Sequence, residues 1–469
     1  MRWILLSAVA VLFSAVSGQA EKLSVDDALK LLHDNEAMRA PDKRKDVSDA
    51  FAGLPPEQIA VALPKLMAAL VTVPSRGVLS LRQAFLNVGE PAIPALAEAM
   101  GRDDLWPNVE QVLPYFREKA LASATAALGS ENANLRARAL VVLERIGGRP
   151  INLRNRPEMQ AVVPAMAQRL ADPAAAVAVA AADALRAMGP DAAHALDALI
   201  AALNRPEPEV RLAAVQAIGS MKAKAAAVGA DEALIPLLND PEARVRLGAI
   251  VALGEIARPS GNAVQALAAR LADRAESLSL RLAAMDAASR MAKGELTAAP
   301  SMGALAGALA DPEDAVALHA AKLLAQIGAP ALGQAQAALK DPEPRRRRFA
   351  AFALARMGAP AQPALPLLAA LLRDREELVR RNAAEAVGRL GDAGAAEALK
   401  PLLRDDSLRV RLAAAEALRR LAPQDAALAE FRRRLAAENR TEADPDDIGK
   451  FPPERYLVGG PMAGLHLPL

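Results

Sequence analysis

Apolar residues along this chain recur at helical spacing, and the whole pattern then repeats. The clearest copy runs Asp240-Pro241-Glu242-Ala243-Arg244-Val245-Arg246-Leu247-Gly248-Ala249-Ile250-Val251-Ala252-Leu253-Gly254-Glu255-Ile256-Ala257. Counted from Val245, positions 0, 4, 7, 8 and 11 are Val245, Ala249, Ala252, Leu253 and Ile256, one face of an α-helix. Asp240 reads as the cap of that helix and Pro241 as its first position. The same turn stands at Asp172-Pro173, Asp311-Pro312 and Asp341-Pro342. Aligned on position 0, the copies fall at Leu135, Val177, Val210, Val245, Leu280, Val316, Arg346, Val379 and Val410, with spacings of 30 to 42 residues. A period in this range marks stacked helix pairs. The longest spacing contains an insertion, Gly147 to Pro157, which should protrude as a loop. The first helix of each pair carries early proline and helically spaced leucine, as from Pro363 to Leu372.

The pattern divides the chain. Residues 1–20 hold Arg2, an apolar run from Ile4 to Val16 and small residues up to Ala20, which is the layout of a cleaved secretory signal peptide. An uncleaved anchor is the alternative, and the run is short for a membrane span. Residues 21–55 read as a helical cap, 56–130 as irregular repeats and 131–440 as regular repeats carrying the insertion at 147–157. Residues 441–469 read as a flexible tail. This predicts a periplasmic or secreted protein with no span in the mature chain.

Composition narrows the chemistry. Hydrophobic residues make up 53% and aromatics only 3%, so the cores are small aliphatic side chains in closely packed helices. The net charge of +2 demands no polyanionic partner. With no cysteine and 4 histidines, thiolate and histidine metal sites have almost nothing to build from. There is no phosphate loop, nucleophile elbow or His-Glu-x-x-His pattern. We expect no catalytic, cofactor or metal residues.

The repeated string Asp-Pro-x-x-x-Val-Arg-x-x-Ala-x-x-Ala-Leu-x-x-Ile-Gly resembles the HEAT repeat, and in particular the HEAT-like units of bacterial phycobilin-lyase-type proteins. The resemblance covers about residues 56–440. It implies an all-α fold, a right-handed α-solenoid of stacked antiparallel helix pairs whose second helices line the concave side. It implies a non-enzymatic scaffold for a protein or peptide partner. The alternative it raises is a tetrapyrrole-handling enzyme or enzyme subunit.

Three features go beyond the repeat itself. An Asp and an Arg stand six apart in several units: Asp240 and Arg246, Asp341 and Arg347, Asp374 and Arg380, Asp405 and Arg411. We read them as turn and stacking residues, with the ladder broken where Ala178 and Ala317 replace Arg. Second, positions 2, 5, 6 and 9 face away from the core, yet many are apolar: Leu140, Val141, Leu212, Val215, Leu247, Ile250, Val251, Leu282, Met285 and Leu318. They either pack between neighbouring second helices or line an open partner-binding groove. Third, residues 341–434 hold 19 Lys and Arg against 13 Asp and Glu. Arg348 and Arg381 take stripe positions there, so the groove would turn basic near Phe352. A solvated surface or an acidic partner suits this better than nucleic acid, given the export signal and the few stacking aromatics.

Overall fold

A computed structural model of the protein describes residues 23–148, 150–256, 260–290, 299–391 and 393–438. The expected signal peptide and C-terminal tail lie outside the described residues. The regular elements of the described residues are all helical, and the helices stack pair upon pair as an all-α solenoid. The chain divides into two compact units, residues 1–224 and 225–469.

In the first unit, Ser24 caps the helix Val25–Leu32, its Oγ accepting the Asp27 N–H at 3.1 Å. Helices Pro56–Thr72 and Val78–Val88 follow, and Gly89 closes the second with φ 81°. The helices Ala133–Gly147, Ala175–Met188 and Pro208–Ser220 then pack each on the next. In the second unit the equivalent row is Ala243–Glu255, Leu278–Arg290, Asp314–Ile327, Pro344–Met357, Glu377–Leu390 and Leu408–Leu421.

The core follows the register of the sequence. Val245, Ala249, Ala252, Leu253 and Ile256 are all buried. Burying each large aliphatic side chain is worth about 2 kcal/mol. Alanine and glycine set how close the helices come. A Cβ added to Gly254 would lie 2.7 Å from the Ala287 Cβ of the next helix, and one on Gly388 would collide with Ala417. Position 9, expected to face outward, is therefore a helix contact in these units.

Three local expectations change. Each repeat Asp lies two residues ahead of the helix cap: Asp240 Oδ1 accepts the Glu242 N–H at 2.9 Å, Glu242 is the N-cap, and Pro241 sits in the turn. The aspartate organises the turn, because a side-chain carboxylate two residues upstream satisfies the cap's own N–H. Proline does take the first helical turn at Pro208 and Pro344. The first helix expected from Pro363 to Leu372 is also shorter than its pattern suggests. Gly358, with φ 73°, starts a 3₁₀ stretch Ala359–Ala364, and the α-helix proper is Leu365–Leu371. Finally, the insertion does not stand free. Leu153 is buried, its N–H donates to the Ile146 carbonyl at 3.0 Å, and Arg154 pairs with Asp191 at 3.2 Å.

Candidate functional site

The charged residues at the turns join one repeat to the next. Arg347 Nη1 donates to the Asp341 and Pro342 carbonyls of its own turn, each at 2.9 Å, while Nε and Nη2 reach the Asp374 carboxylate of the next turn at 2.7 and 2.8 Å. Arg380 repeats this toward Asp405, and Arg136 toward Asp172. Arg281 holds Asp311, and Arg246 reaches Glu276 in the same role. Burial works to raise the Asp374 pKa, but hydrogen bonds from Arg347 and the Glu376 N–H outweigh it and hold the carboxyl below its usual value. Asp172 and Asp405 are lowered by the same balance, and Glu276 chiefly by its Arg246 hydrogen bonds.

The joints expected to be broken are closed differently. Where Ala178 replaces Arg, the next turn carries Arg205 in place of Asp. Arg205 Nη1 reaches back to the Asp172 carbonyl at 3.0 Å, and Arg205 also pairs with Glu207. Where Ala317 replaces Arg, Arg346 stands at an apolar position. It donates to Asp341 at 2.7 Å and to the Ala306 carbonyl at 3.1 Å. The sequence carried the signal at both places: an arginine at an Asp or Val position, one repeat after the missing one.

The outward stripe divides in two. Val215, Ile250 and Met285 are buried, as is Leu140, so position 5 packs against neighbouring helices. The reason is geometric: a second helix has helices on both flanks besides its own first helix, which widens its buried arc beyond a single stripe. Leu212 in the first unit is half-buried. In the second unit Leu247 is 41% exposed, and Val251, Leu282 and Leu318 are half-buried. Position 2 thus carries an exposed or half-buried leucine on three successive packed helices, and position 6 is half-buried at Val251.

The stripe does not turn basic. Arg348, Arg381 and Phe352 are buried. The four-arginine run is spent on internal contacts: Arg345 and Arg348 on Asp314, Arg346 on Asp341 and Arg347 on Asp374. Burial pulls the Arg348 pKa down, and Asp314 partly offsets this. Arg348 also lies 4.6 Å from the centre of the Phe349 ring.

One feature had no sequence forecast. In the first unit, Glu110, Pro114, Tyr115, Val141, Glu144, Arg145, Pro150 and Ile151 enclose a cleft of about 310 Å³. The insertion supplies one wall and the irregular segment around Tyr115 another. No group of His, Cys, Asp or Glu suited to a metal ion occurs among the described residues, and no helix among them is long and apolar enough to cross a membrane.

The fold and the turn ladder together define an all-α solenoid of helix pairs. Within that class the chain belongs to the HEAT repeats family, whose profile matches residues 196–289, 301–376 and 364–443. Comparison with curated proteins gives no match. Among solved structures the chain is similar to the karyopherin Kap121p, at 15% identity with a TM-score of 0.54, covering 92% of this chain and 48% of that one. It is similar also to Kap121p bound to the extreme C-terminus of the protein phosphatase Cdc14p (14% identity, TM-score 0.55, 92% and 50%). A third is Kap121p bound to the SUMO protease Ulp1p (16% identity, TM-score 0.51, 92% and 48%). The chain spans about half the length of these structures, and at such identities the likeness is one of fold.

Proposed function

We propose that this chain is an exported, non-enzymatic scaffold that binds an amphipathic helix of a partner protein along the second helices of its second unit. The observation that carries this is the row Leu247, Leu282 and Leu318, at the same register position on successive packed helices, with Leu247 exposed and the other two half-buried. Packed helices are roughly 8–10 Å apart. A partner helix returns the same face every seventh residue, about 10.5 Å along its axis. An extended strand returns one every second residue, about 6.7 Å, and fits the row less well. The fold likeness to Kap121p, whose complexes include bound protein segments, supports this reading. The tetrapyrrole alternative rests on the resemblance of the repeat motif alone.

A photo-crosslinking residue placed at Leu247 tests the row. It should capture a discrete partner from native extract, and Leu282→Asp should abolish the capture while leaving helical circular dichroism unchanged. Equal capture by the Leu282→Asp protein sinks the proposal. Export rests on residues 1–20, and N-terminal sequencing of the protein from cell envelope or medium should find the chain beginning near Glu21.

A further inference from the structure

Among the described residues, the cleft between Tyr115, Glu144 and the insertion holds an unbalanced charge. Glu110 pairs with Arg145 on one wall. On the neighbouring helix Asp183 pairs with Arg186 at 3.0 Å. Among the described residues these are the charged groups facing Glu144, and each of the two cations is already taken by another carboxylate. Glu144 is the surplus: half-buried, lining the cleft, its carboxylate beside two completed pairs. Burial and the Asp183 charge push its pKa up, while Arg186 and Arg145 pull against them. A half-buried carboxylate without its own counter-charge costs stability unless something supplies one.

The rest of the lining says what that is. Val141, Ile151, Pro114 and Pro150 give apolar walls, and the Tyr115 ring is already covered by the Arg82 guanidinium at 3.8 Å. The volume is at the small end for ligand sites, roughly 300–1,000 Å³, and suits one long side chain. Val141 and Glu144 occupy positions 6 and 9 of their helix, on the side read from the sequence as facing outward.

We infer that this cleft is a binding site for a single cation on an apolar stem, the side chain of an arginine or lysine on the protein partner, with Glu144 as its counter-ion. The inference rests on the scaffold reading for the source of that side chain. The site itself is independent of it.

Titration of the full chain with Nα-acetyl-arginine amide and Nα-acetyl-lysine amide, followed by NMR or calorimetry, tests the site. Binding in the millimolar range is expected for at least one, with the neutral citrulline and Nε-acetyllysine counterparts weaker by about tenfold or more. Glu144→Gln should weaken the cation by a similar factor and raise the thermal midpoint of the unliganded protein. Equal binding of neutral and charged probes, unchanged affinity in Glu144→Gln, or a lowered midpoint would each overturn the inference. The crosslink at Leu247 reads the leucine row and the amide titration reads the cleft, so each can fail without the other.

Discussion

Arg347 and Asp374 face each other across two consecutive turns, and one guanidinium closes both. It ties its own turn through two carbonyls and the next turn through a two-pronged carboxylate pair, with little of either side chain exposed. Arg347→Met leaves the Asp374 charge buried and two carbonyls without their donor. Breaking a buried pair in this way costs about 3–5 kcal/mol. Urea denaturation should show that loss, and Arg347→Met with Asp374→Leu should recover part of it.

The joint at Ala178 runs in the opposite sense, which makes it testable by exchange. Ala178 is fully buried, and Arg205 occupies the place of the next aspartate. Ala178→Arg alone should destabilise, since it sets two guanidinium groups against one turn. Ala178→Arg with Arg205→Asp rebuilds the pairing found elsewhere and should return most of the lost thermal midpoint. A double variant no better than the single would show that Arg205 does not complete this joint.

Acid should loosen the ladder. The folded-state pKa values of Asp374, Asp405 and Asp172 lie below the unfolded values. Their contribution is complete above the unfolded carboxylate pKa of about 3.9 and is lost as pH falls through the folded values. Glu144 acts oppositely: its raised folded pKa gives stability at low pH that disappears as pH rises through it. The urea midpoint should therefore drift slightly upward from neutral toward mildly acidic pH and then fall steeply. Asp374→Asn should shallow the fall, and Glu144→Gln should remove the drift.

Glycine substitutions separate spacing from backbone conformation. Gly254→Ala presses a methyl to within 2.8 Å of the Ala287 Cα and should cost about 1–3 kcal/mol by overpacking. Gly328, with φ 79°, has open space around it, so Gly328→Ala should cost about 1 kcal/mol through its backbone alone. Gly303 sits in the exposed interior of Ala299–Ala308 with nothing near it, and Gly303→Ala should stabilise by about 0.5–1 kcal/mol. Thermal melts of the three variants give the comparison.

What could be read in advance depended on range. The core register from Val245 to Ile256 is a property of one helix, and its period alone locates the buried face. Whether Ile250 or Leu247 meets water is a property of the stack, because the flanking helices decide it and a single helix carries no record of their approach. The arginines illustrate the same limit. Arg345 to Arg348 read as surplus positive charge, yet their partners lie on three different repeats: Asp314 at the start of a helix, Asp341 and Asp374 in two later turns. The cleft at Glu144 was illegible because it needs the insertion to fold back, which Leu153 and Arg154 achieve through contacts with no periodic signature.

The reversed joint at Ala178 and Arg205 bears on how such an array can grow. At the joints Arg136–Asp172, Arg347–Asp374 and Arg380–Asp405 a unit offers an arginine forward to the aspartate of the next, like a plug and a socket, and copies so equipped are interchangeable. A unit with alanine for its plug, followed by one with arginine for its socket, fits only its own neighbour. Duplicating or shuffling either member would leave an aspartate without an arginine or set two arginines together. That pair fixes the order of repeats on either side of it, and marks a point where gain or loss of a single unit is disallowed while it remains tolerable where plug and socket are both in place.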